Sequence, residues 1–150
     1  MLLGIISDTH SLLRPEALAA LRGSDHILHA GDIGSPDIIP ALEQIAPVSA
    51  IRGNVDVEPW TRKFPFTLTV EFGGLKFHLI HNRAELKPKK LPKDIACIIF
   101  GHSHQPLIET VDDILYFNPG SAGPRRFKLP ITVGRIRIER KRLFPELIPL

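Results

Sequence analysis

Short apolar runs separated by polar segments dominate the first third of the chain and predict alternating strands and helices. Three runs are typical of buried strands: Leu2–Ile6, Ile27–Leu28 and Val48–Ile51. A helical pattern opens at Pro15 and stops at Gly23, and a second opens at Ser35 and stops at Pro47. Strands that alternate with helices are joined by right-handed crossovers, so we expect these strands to be parallel.

The pattern changes in the second half of the chain, where antiparallel strands are expected. Phe66–Phe72 and Leu75–Ile80 alternate around Gly73-Gly74, which is typical of a β-hairpin with a two-residue turn. The remaining predicted strands are Ile95–Phe100, Leu107–Thr110, Leu115–Phe117 and Ile131–Ile138. The sequence therefore predicts an α/β protein with mixed sheets, and its length is sufficient for a single domain, residues 1–150.

Polar residues follow five of the predicted strands at their C-terminal ends. Asp8-Thr9-His10 follows the first strand and Gly101-His102-Ser103-His104 follows the run that ends at Phe100. The other three polar signatures are Gly31-Asp32, Gly53-Asn54-Val55-Asp56 and His81. Open α/β sheets place their active sites at the carboxyl ends of strands. Because residues i and i+2 of an extended strand point to the same side, we expect each paired signature to grip one metal centre.

The residue types in these signatures indicate a transition-metal site. Imidazoles mixed with carboxylates and an amide oxygen suit Mn²⁺, Zn²⁺, Fe, Co²⁺ or Ni²⁺ better than Ca²⁺ or Mg²⁺. Any one Asp or His alone is more often a turn or core residue, but turns do not require four histidines. Seven ligands are too many for one small ion and fit two ions that share a carboxylate. The candidate ligands are Asp8, His10, Asp32, Asn54, His81, His102 and His104.

In their order along the chain, these signatures resemble the motif series of calcineurin-like metallophosphoesterases. Asn118-Pro119-Gly120-Ser121 resembles a later motif of their small single-domain phosphodiesterase branch. The resemblance implies a four-layer α/β/β/α sandwich of two mixed β-sheets flanked by helices. It assigns one metal to Asp8, His10, Asp32 and His104, and the other to Asp32, Asn54, His81 and His102, with Asp32 bridging.

The implied function is metal-dependent phosphodiester hydrolysis through a hydroxide that bridges two divalent cations, with Mn²⁺ preferred. Asp56 is expected to hold a ligand histidine in its tautomer. The expected catalytic residues are Asp32, Asn54, His81 and Asp56. Substrate contacts are expected from Asn54, Ser11, Arg125 and Arg126, the two arginines because they sit in a loop punctuated by Gly and Pro.

Three positions depart from the family pattern. Many members have a histidine, the acid for the leaving group, where this chain has Val55, and valine cannot donate a proton. This absence favours diesters with good leaving groups over alkyl monoesters. Ser11 and Asn82 stand where the family has glycine after a histidine. Since asparagine tolerates positive φ better than most residues, Asn82 is expected to keep the glycine backbone.

Charge and cysteine content limit the other function classes. A formal net charge of +3 and a pI near 9.2 are mildly basic, and no dedicated nucleic-acid module is evident. The single cysteine, Cys97, lies within an apolar run, so no intrachain disulfide can form. We find no signal peptide and no apolar run of transmembrane length, and therefore expect a cytoplasmic protein.

A competing hypothesis is a protein-interaction scaffold. The retromer subunit that resembles this branch keeps the fold with a degraded metal site and works by binding proteins. Every ligand position is filled in this chain, which favours the enzyme. Oligomeric state is left open, although an exposed Trp60 or Phe64 would mark an interface between copies. His29, just before Asp32, is either a core histidine or a support for the site.

Overall fold

The computed structural model describes residues 1–150 as two five-stranded β-sheets and two short α-helices. The first part of the chain forms β1 (Leu2–Ile6), α1 (Pro15–Leu21), β2 (His26–His29), α2 (Ile38–Glu43) and β3 (Val48–Ala50). The remaining strands are β4 (Thr67–Phe72), β5 (Leu75–Ile80), β6 (Ile95–Ile99), β7 (Leu107–Val111), β8 (Ile114–Asn118), β9 (Thr132–Glu139) and β10 (Arg142–Pro149). Three short 3₁₀ helices cover Pro59–Lys63, Arg83–Glu85 and Pro88–Lys90.

Both sheets are mixed, which confirms the predicted fold class. The first sheet has the order β10-β9-β1-β2-β3, in which β1, β2 and β3 are parallel and β9 and β10 are antiparallel additions. The second sheet has the order β4-β5-β6-β8-β7, in which β5, β6 and β8 are parallel. Each sheet therefore contains three parallel strands whose carboxyl ends share one edge.

Three apolar clusters hold the layers together. The main core lies between the sheets, where Leu3 and Ile5 of β1 face Phe77 and Phe117 of the second sheet. A second cluster packs α1 and α2 on the outer face of the first sheet. The outer face of the second sheet is covered by the segment 83–91, which contains two of the 3₁₀ helices. This outermost layer is much thinner than the one made by α1 and α2.

The sequence pattern did not predict β10, because this strand contains Pro145 and Pro149. Proline cannot donate a ladder hydrogen bond and therefore argues against a central strand. The structure places β10 at the edge of the first sheet, paired only with β9, where one side of the strand needs no partner. The second helix is also shorter than predicted, since residues 35–37 form a turn before it and it ends at Glu43.

Trp60 and Phe64, which would mark an interface if they were exposed, are half-buried. Trp60 and Phe64 meet edge to face, with ring centroids 6.5 Å apart, and pack against the cluster beneath the helices. They are therefore not the exposed residues that would mark an interface, and the oligomeric state stays open. No helix of the structure has the length and apolar character needed to cross a membrane.

Candidate metal centre

The predicted ligands lie in loops at the edge where the carboxyl ends of both sets of parallel strands meet. Contacts between loops join the sheets directly at this edge. His102 N donates to Asp8 Oδ2 at 3.2 Å, and Gly101 N donates to the His81 carbonyl at 3.0 Å. The His81 ring in turn reaches Ala30, which follows β2. The two sheets therefore form opposite walls of one site.

The candidate ligand atoms divide into two groups, in each of which they lie within 4.8 Å of one another. Asp8, His10 and His104 form one group, which we call group one. Asp32, His81 and His102 form group two. This division is the one that the family resemblance implies. The i, i+2 pair His102 and His104 is divided between the two groups, whereas the pair Asp8 and His10 shares group one.

Asp32 lies between the two groups. Its Oδ2 is 3.1 Å from His81 Nε2 and 3.5 Å from His10 Nε2, so one oxygen reaches a histidine of each group. Its Oδ1 accepts a hydrogen bond from Val55 N at 3.1 Å. Gly53 is needed beside this carboxylate, because a Cβ there would collide with the Asp32 side chain. The carboxylate is thus oriented by backbone and presents one oxygen to both groups.

Asp8 divides its oxygens in the same way. Its Oδ2 accepts hydrogen bonds from Ser7 Oγ at 2.8 Å and from His102 N. Its Oδ1 is buried without a hydrogen-bond partner and lies 3.4 Å from His104 Nε2. Gly101 lies against the other side of this carboxylate, where a Cβ would overlap Ser7 and Asp8. An unsatisfied buried oxygen is costly, so its presence inside a ring of histidines indicates a position for a cation.

His81 is held in the tautomer that leaves Nε2 free. Its Nδ1 donates to the Ala30 carbonyl at 2.7 Å, since a carbonyl can only accept. Its Nε2 is buried, has no hydrogen-bond partner and faces Asp32 and Asp8. This is the arrangement in which an outer hydrogen bond fixes an imidazole so that the opposite nitrogen can bind a metal. The donor set and its orphaned atoms therefore fit divalent cations.

The electrostatics of the centre favour ionised carboxylates. Burial raises the pKa of Asp8, but the nearby rings of His10 and His104 and the charge of His81 outweigh it and hold that pKa well below its usual range. Burial also raises the pKa of Asp32, and contacts with His81 and Val55 N lower it overall. Burial lowers the pKa of His81, and the two carboxylates more than reverse this. A proton on His81 Nε2 would compete with a metal for that nitrogen, so metal binding should weaken as pH falls.

Asn54 and His102 form the open side of group two. Asn54 Oδ1 lies 3.2 Å from His102 Nδ1, and both residues are exposed. The His81 and His102 rings meet at 5.2 Å in an edge-to-face arrangement. A substrate can therefore approach group two from solvent, whereas Asp8 and His104 of group one are buried.

The ligand loops carry unusual backbone strain. Six site residues have positive φ, a region that costs energy for side chains other than glycine: Asp8, His10, Ser11, Asp32, His102 and His104. Asn82 was expected to share this conformation, and that prediction is wrong. Its φ is −110°, and its side chain instead accepts a hydrogen bond from Ala84 N at the start of a 3₁₀ helix.

Asp56 does not hold a ligand histidine, which corrects the role predicted for it. Its buried carboxylate accepts three backbone hydrogen bonds, from Gly53 N at 2.8 Å and from Ile33 N and Gly34 N at 3.1 Å each. These amides belong to the loops that carry Asp32 and Asn54. Asp56 is therefore a positioning residue that fastens two ligand loops together, and the ligand histidines use other partners.

A second set of buried polar residues supports group one. His29 accepts from Gly31 N at Nδ1, so its Nε2 carries the proton and donates to Thr9 Oγ1 at 3.0 Å. Thr9 Oγ1 in turn donates a hydrogen bond to the Ile33 carbonyl at 2.8 Å. His29 is thus the support for the site that the sequence left open.

Sequence reasoning missed further supports in this region. Ser121 Oγ donates to the Asp8 carbonyl at 3.0 Å, and Ser7 orients the Asp8 carboxylate. Asn118 Nδ2 donates to the Gly101 carbonyl and to Ser103 Oγ, each at 3.1 Å, which braces the loop of His102 and His104. The sequence signal for Asn118 and Ser121 is the motif Asn118-Pro119-Gly120-Ser121, whose residues the sequence pattern alone does not assign to a role.

The expected substrate contacts other than Asn54 lie outside the two groups. Ser11 is exposed, and its backbone N donates to the Ile33 carbonyl at 3.0 Å. Arg125 and Arg126 are exposed in a loop after Gly123 and do not line the cavity beside His81 and His102. Contacts of these three residues with substrate stay predictions.

Replacing Asp56 by Asn should weaken metal binding without removing any ligand. The side-chain amide would offer one acceptor oxygen instead of two and would place an N–H group against backbone donors. The loops of Asp32 and Asn54 would therefore be held less firmly relative to each other. We expect Mn²⁺ affinity measured by calorimetry to fall by about 10- to 100-fold. Asp37→Asn is the matched control, since this exposed aspartate bonds only to Ser35 nearby. Unchanged Mn²⁺ affinity in Asp56→Asn would contradict the positioning role.

Stability should depend on pH through His29. Burial lowers the pKa of His29 from 6.5 to about 4. Between these values the unfolded chain binds the proton and the folded chain does not, so the free energy of unfolding falls as pH is lowered from 6.5 towards 4. The contribution lost is on the order of 3 kcal/mol over the whole window.

Urea unfolding in the presence of a chelator tests this dependence. The stability advantage of the wild type over His29→Gln should be constant above pH 7 and should shrink as pH falls towards 4. Comparison of the two proteins at each pH removes the pH dependence that they share. An advantage that stays constant from pH 7.5 to pH 4.5 would show that His29 is not the titrating group.

Comparison with known proteins finds relatives over nearly the whole chain. The domain model described as the Calcineurin-like phosphoesterase superfamily domain matches residues 1–141. A protein of Methanothermobacter thermautotrophicus named probable metallophosphoesterase is 37% identical over 160 residues, which cover 99% of this chain and 92% of that protein.

Solved structures share the fold over the whole chain. A structure described as a novel archaeal phosphodiesterase superposes with a TM-score of 0.83 and 27% identity and covers 100% of both chains. Vps29 of Chaetomium thermophilum has a TM-score of 0.79 at 17% identity, covering 100% of this chain and 97% of that one, which shows the fold alone. With its fold, its donor set and these relatives, the chain belongs to the calcineurin-like phosphoesterase superfamily.

Proposed function

We propose that the protein is a phosphodiesterase that works with two divalent cations, one at each ligand group. The observation that carries this proposal is the position of Asp32, whose Oδ2 lies within 3.5 Å of a histidine from each group while its Oδ1 is fixed by Val55 N. A carboxylate oxygen shared in this way is suited to bridging two ions. Similarity to an archaeal phosphodiesterase supports the same reaction class.

The residues of each group would hold one ion. Group one, with Asp32, offers two carboxylates and two imidazoles, and group two offers Asp32, two imidazoles and the Asn54 amide oxygen. When bound, such a pair of cations supplies a nucleophile from water near neutral pH and neutralises charge on the phosphoryl oxygens. Mixed nitrogen and oxygen donors suit Mn²⁺, which is the ion we expect, and also Zn²⁺, Fe, Co²⁺ or Ni²⁺.

The protein residues act by fixing geometry rather than by covalent chemistry. Asp8 and Asp32 concentrate negative charge in a buried site, and Ser7 and Val55 N keep one oxygen of each away from the histidines. The strained ligand loops hold the donors in place before any substrate arrives. Such preorganisation is the main source of electrostatic stabilisation in enzymes of this kind.

Val55 defines the leaving-group side of the site. Its backbone N is held by Asp32, while its side chain is 41% exposed next to Asn54 and carries no proton donor. A leaving group that needs protonation gains nothing from this position, whereas one that departs as a stable anion loses nothing. Phosphodiesters with good leaving groups are therefore the substrates that this chemistry favours.

The scaffold hypothesis draws its support from similarity to Vps29, which at 17% identity extends to the fold only. Two features of this chain argue for the hydrolase instead. Every predicted ligand position holds a donor, and Asp8 Oδ1 and His81 Nε2 are buried without partners. A surface that served only to bind proteins would have no use for this costly arrangement.

Replacing Asp32 by Asn should abolish turnover and reduce metal content. The amide keeps the size of the side chain but removes the negative charge and replaces one of the two carboxylate oxygens by an NH₂ group, which cannot bind a cation. We expect metal analysis to show fewer bound ions and hydrolysis of bis(4-nitrophenyl) phosphate to be lost. Asp113→Asn, in an exposed turn, should retain both properties. Wild-type activity in Asp32→Asn would refute the two-ion proposal.

The enzyme should prefer diesters over monoesters. With no acid at Val55, hydrolysis of alkyl monoesters should be slower by about 10²- to 10⁴-fold than in an enzyme with a positioned acid. We expect bis(4-nitrophenyl) phosphate, whose leaving group departs without a proton, to be cleaved faster than an alkyl monoester such as glycerol 3-phosphate under the same conditions. Val55→His should raise alkyl monoester hydrolysis, and Val57→His, at a residue 80% exposed, should not. A strong wild-type preference for monoesters would contradict the assignment.

A further inference from the structure

A groove opens directly beside group two on the outer side of the second sheet. It has a volume of about 780 Å³, which lies within the range of small-molecule binding sites. Asn54, His81 and His102 form its end at the candidate metal centre. Its opposite wall is the segment 83–91, which contributes Leu86 and Leu91. A phosphoryl group held at group two would therefore project one of its arms along this groove.

An exposed aromatic ring lines the groove near the centre. Phe66 is 63% exposed, and the Arg52 guanidinium lies 3.9 Å from its ring centroid. Arg52 N donates to the Pro65 carbonyl at 2.8 Å, so this aromatic segment is fastened to a residue two positions before Asn54. Arg52 Nε is itself buried without a partner. The guanidinium covers one face of the ring, and much of the remaining ring surface is open to a ligand.

The charges in the groove are mainly positive. Arg52, Lys87 and Lys90 line it together with a single carboxylate, Glu85. The two lysines are exposed on the segment 83–91, and neither belongs to a ligand group. They are therefore available to a second anionic group on the same substrate rather than to the phosphoryl group at the metals. Lys89, between them in sequence, does not line the groove.

We propose that this groove binds a nucleotide arm of the phosphodiester, with its base stacked on Phe66 and its further phosphate near Lys87 and Lys90. A nucleotide combines the two features that the groove matches, a planar ring and a second negative charge one sugar away. Base stacking on an aromatic side chain tolerates any base, so the groove selects nucleotides as a class. This inference rests on the proposed function, because it takes the phosphoryl group to be held at group two.

Calorimetric titration of the Mn²⁺-loaded protein tests the inference through binding rather than turnover. The probes are inorganic phosphate, ribose 5-phosphate, adenosine 5′-monophosphate and adenosine 3′,5′-bisphosphate. We expect the monophosphate to bind about 5- to 100-fold more tightly than ribose 5-phosphate, and Phe66→Ala to remove most of that ratio. The bisphosphate should bind more tightly than the monophosphate by a further factor of about 2 to 10. This additional affinity should be lost in the Lys87→Ala, Lys90→Ala double variant and should be reduced by salt.

Two matched variants separate these effects from general damage. Phe144 is 42% exposed and also stacks with an arginine, Arg137, at 4.4 Å, but it lies on β10. Phe144→Ala and Lys89→Ala should leave both ratios unchanged. Equal affinity for ribose 5-phosphate and adenosine 5′-monophosphate, with phosphate binding dependent on Mn²⁺, would overturn the groove assignment alone. Absence of Mn²⁺-dependent phosphate binding would overturn the proposed function and, with it, this inference.

Discussion

The centre depends on keeping two ionised carboxylates buried close together. Asp8 and Asp32 are almost inaccessible to solvent, and each raises the free energy of the other's charged form. The fold compensates by giving one oxygen of each carboxylate a hydrogen bond from backbone and by surrounding the other oxygen with imidazoles. Burying charge in this way costs stability unless partners of opposite charge complete it. The surrounding architecture serves to supply those partners.

This requirement explains why the ligand loops have their particular shape. Gly53 and Gly101 bring backbone against the carboxylates, and the ligand residues themselves accept left-handed backbone. Such conformations persist only where neighbouring contacts over-determine them. The hydrogen bonds of Asp56 and the chain from His29 through Thr9 provide those contacts. The strain is concentrated where the donors must converge, while the two sheets remain regular.

The sequence predicted the elements best where periodicity and strand-end chemistry agree. The parallel strands, the hairpin at Gly73-Gly74 and the collection of the candidate ligands at one edge follow from local patterns and sheet topology. It could not reveal β10, because proline is tolerated only in a strand at the edge of a sheet, and the tertiary structure decides which strand lies there. It misjudged Asp56 and Asn82, because hydrogen-bond partners and backbone angles depend on loops distant in sequence.

The candidate ligands and much of the groove lining lie on different parts of the chain, because the thin layer over the second sheet carries groove residues and no candidate ligand. The loops that carry the candidate ligands are joined by hydrogen bonds across both sheets, so a change in any one of them disturbs the others. The segment 83–91 contributes side chains to the groove but no ligand, and its 3₁₀ turns make few regular hydrogen bonds with the sheet beneath. Insertions and substitutions in such a segment are tolerated far better than in the core. Side chains that line the groove can therefore change without disturbing the loops that carry the candidate ligands.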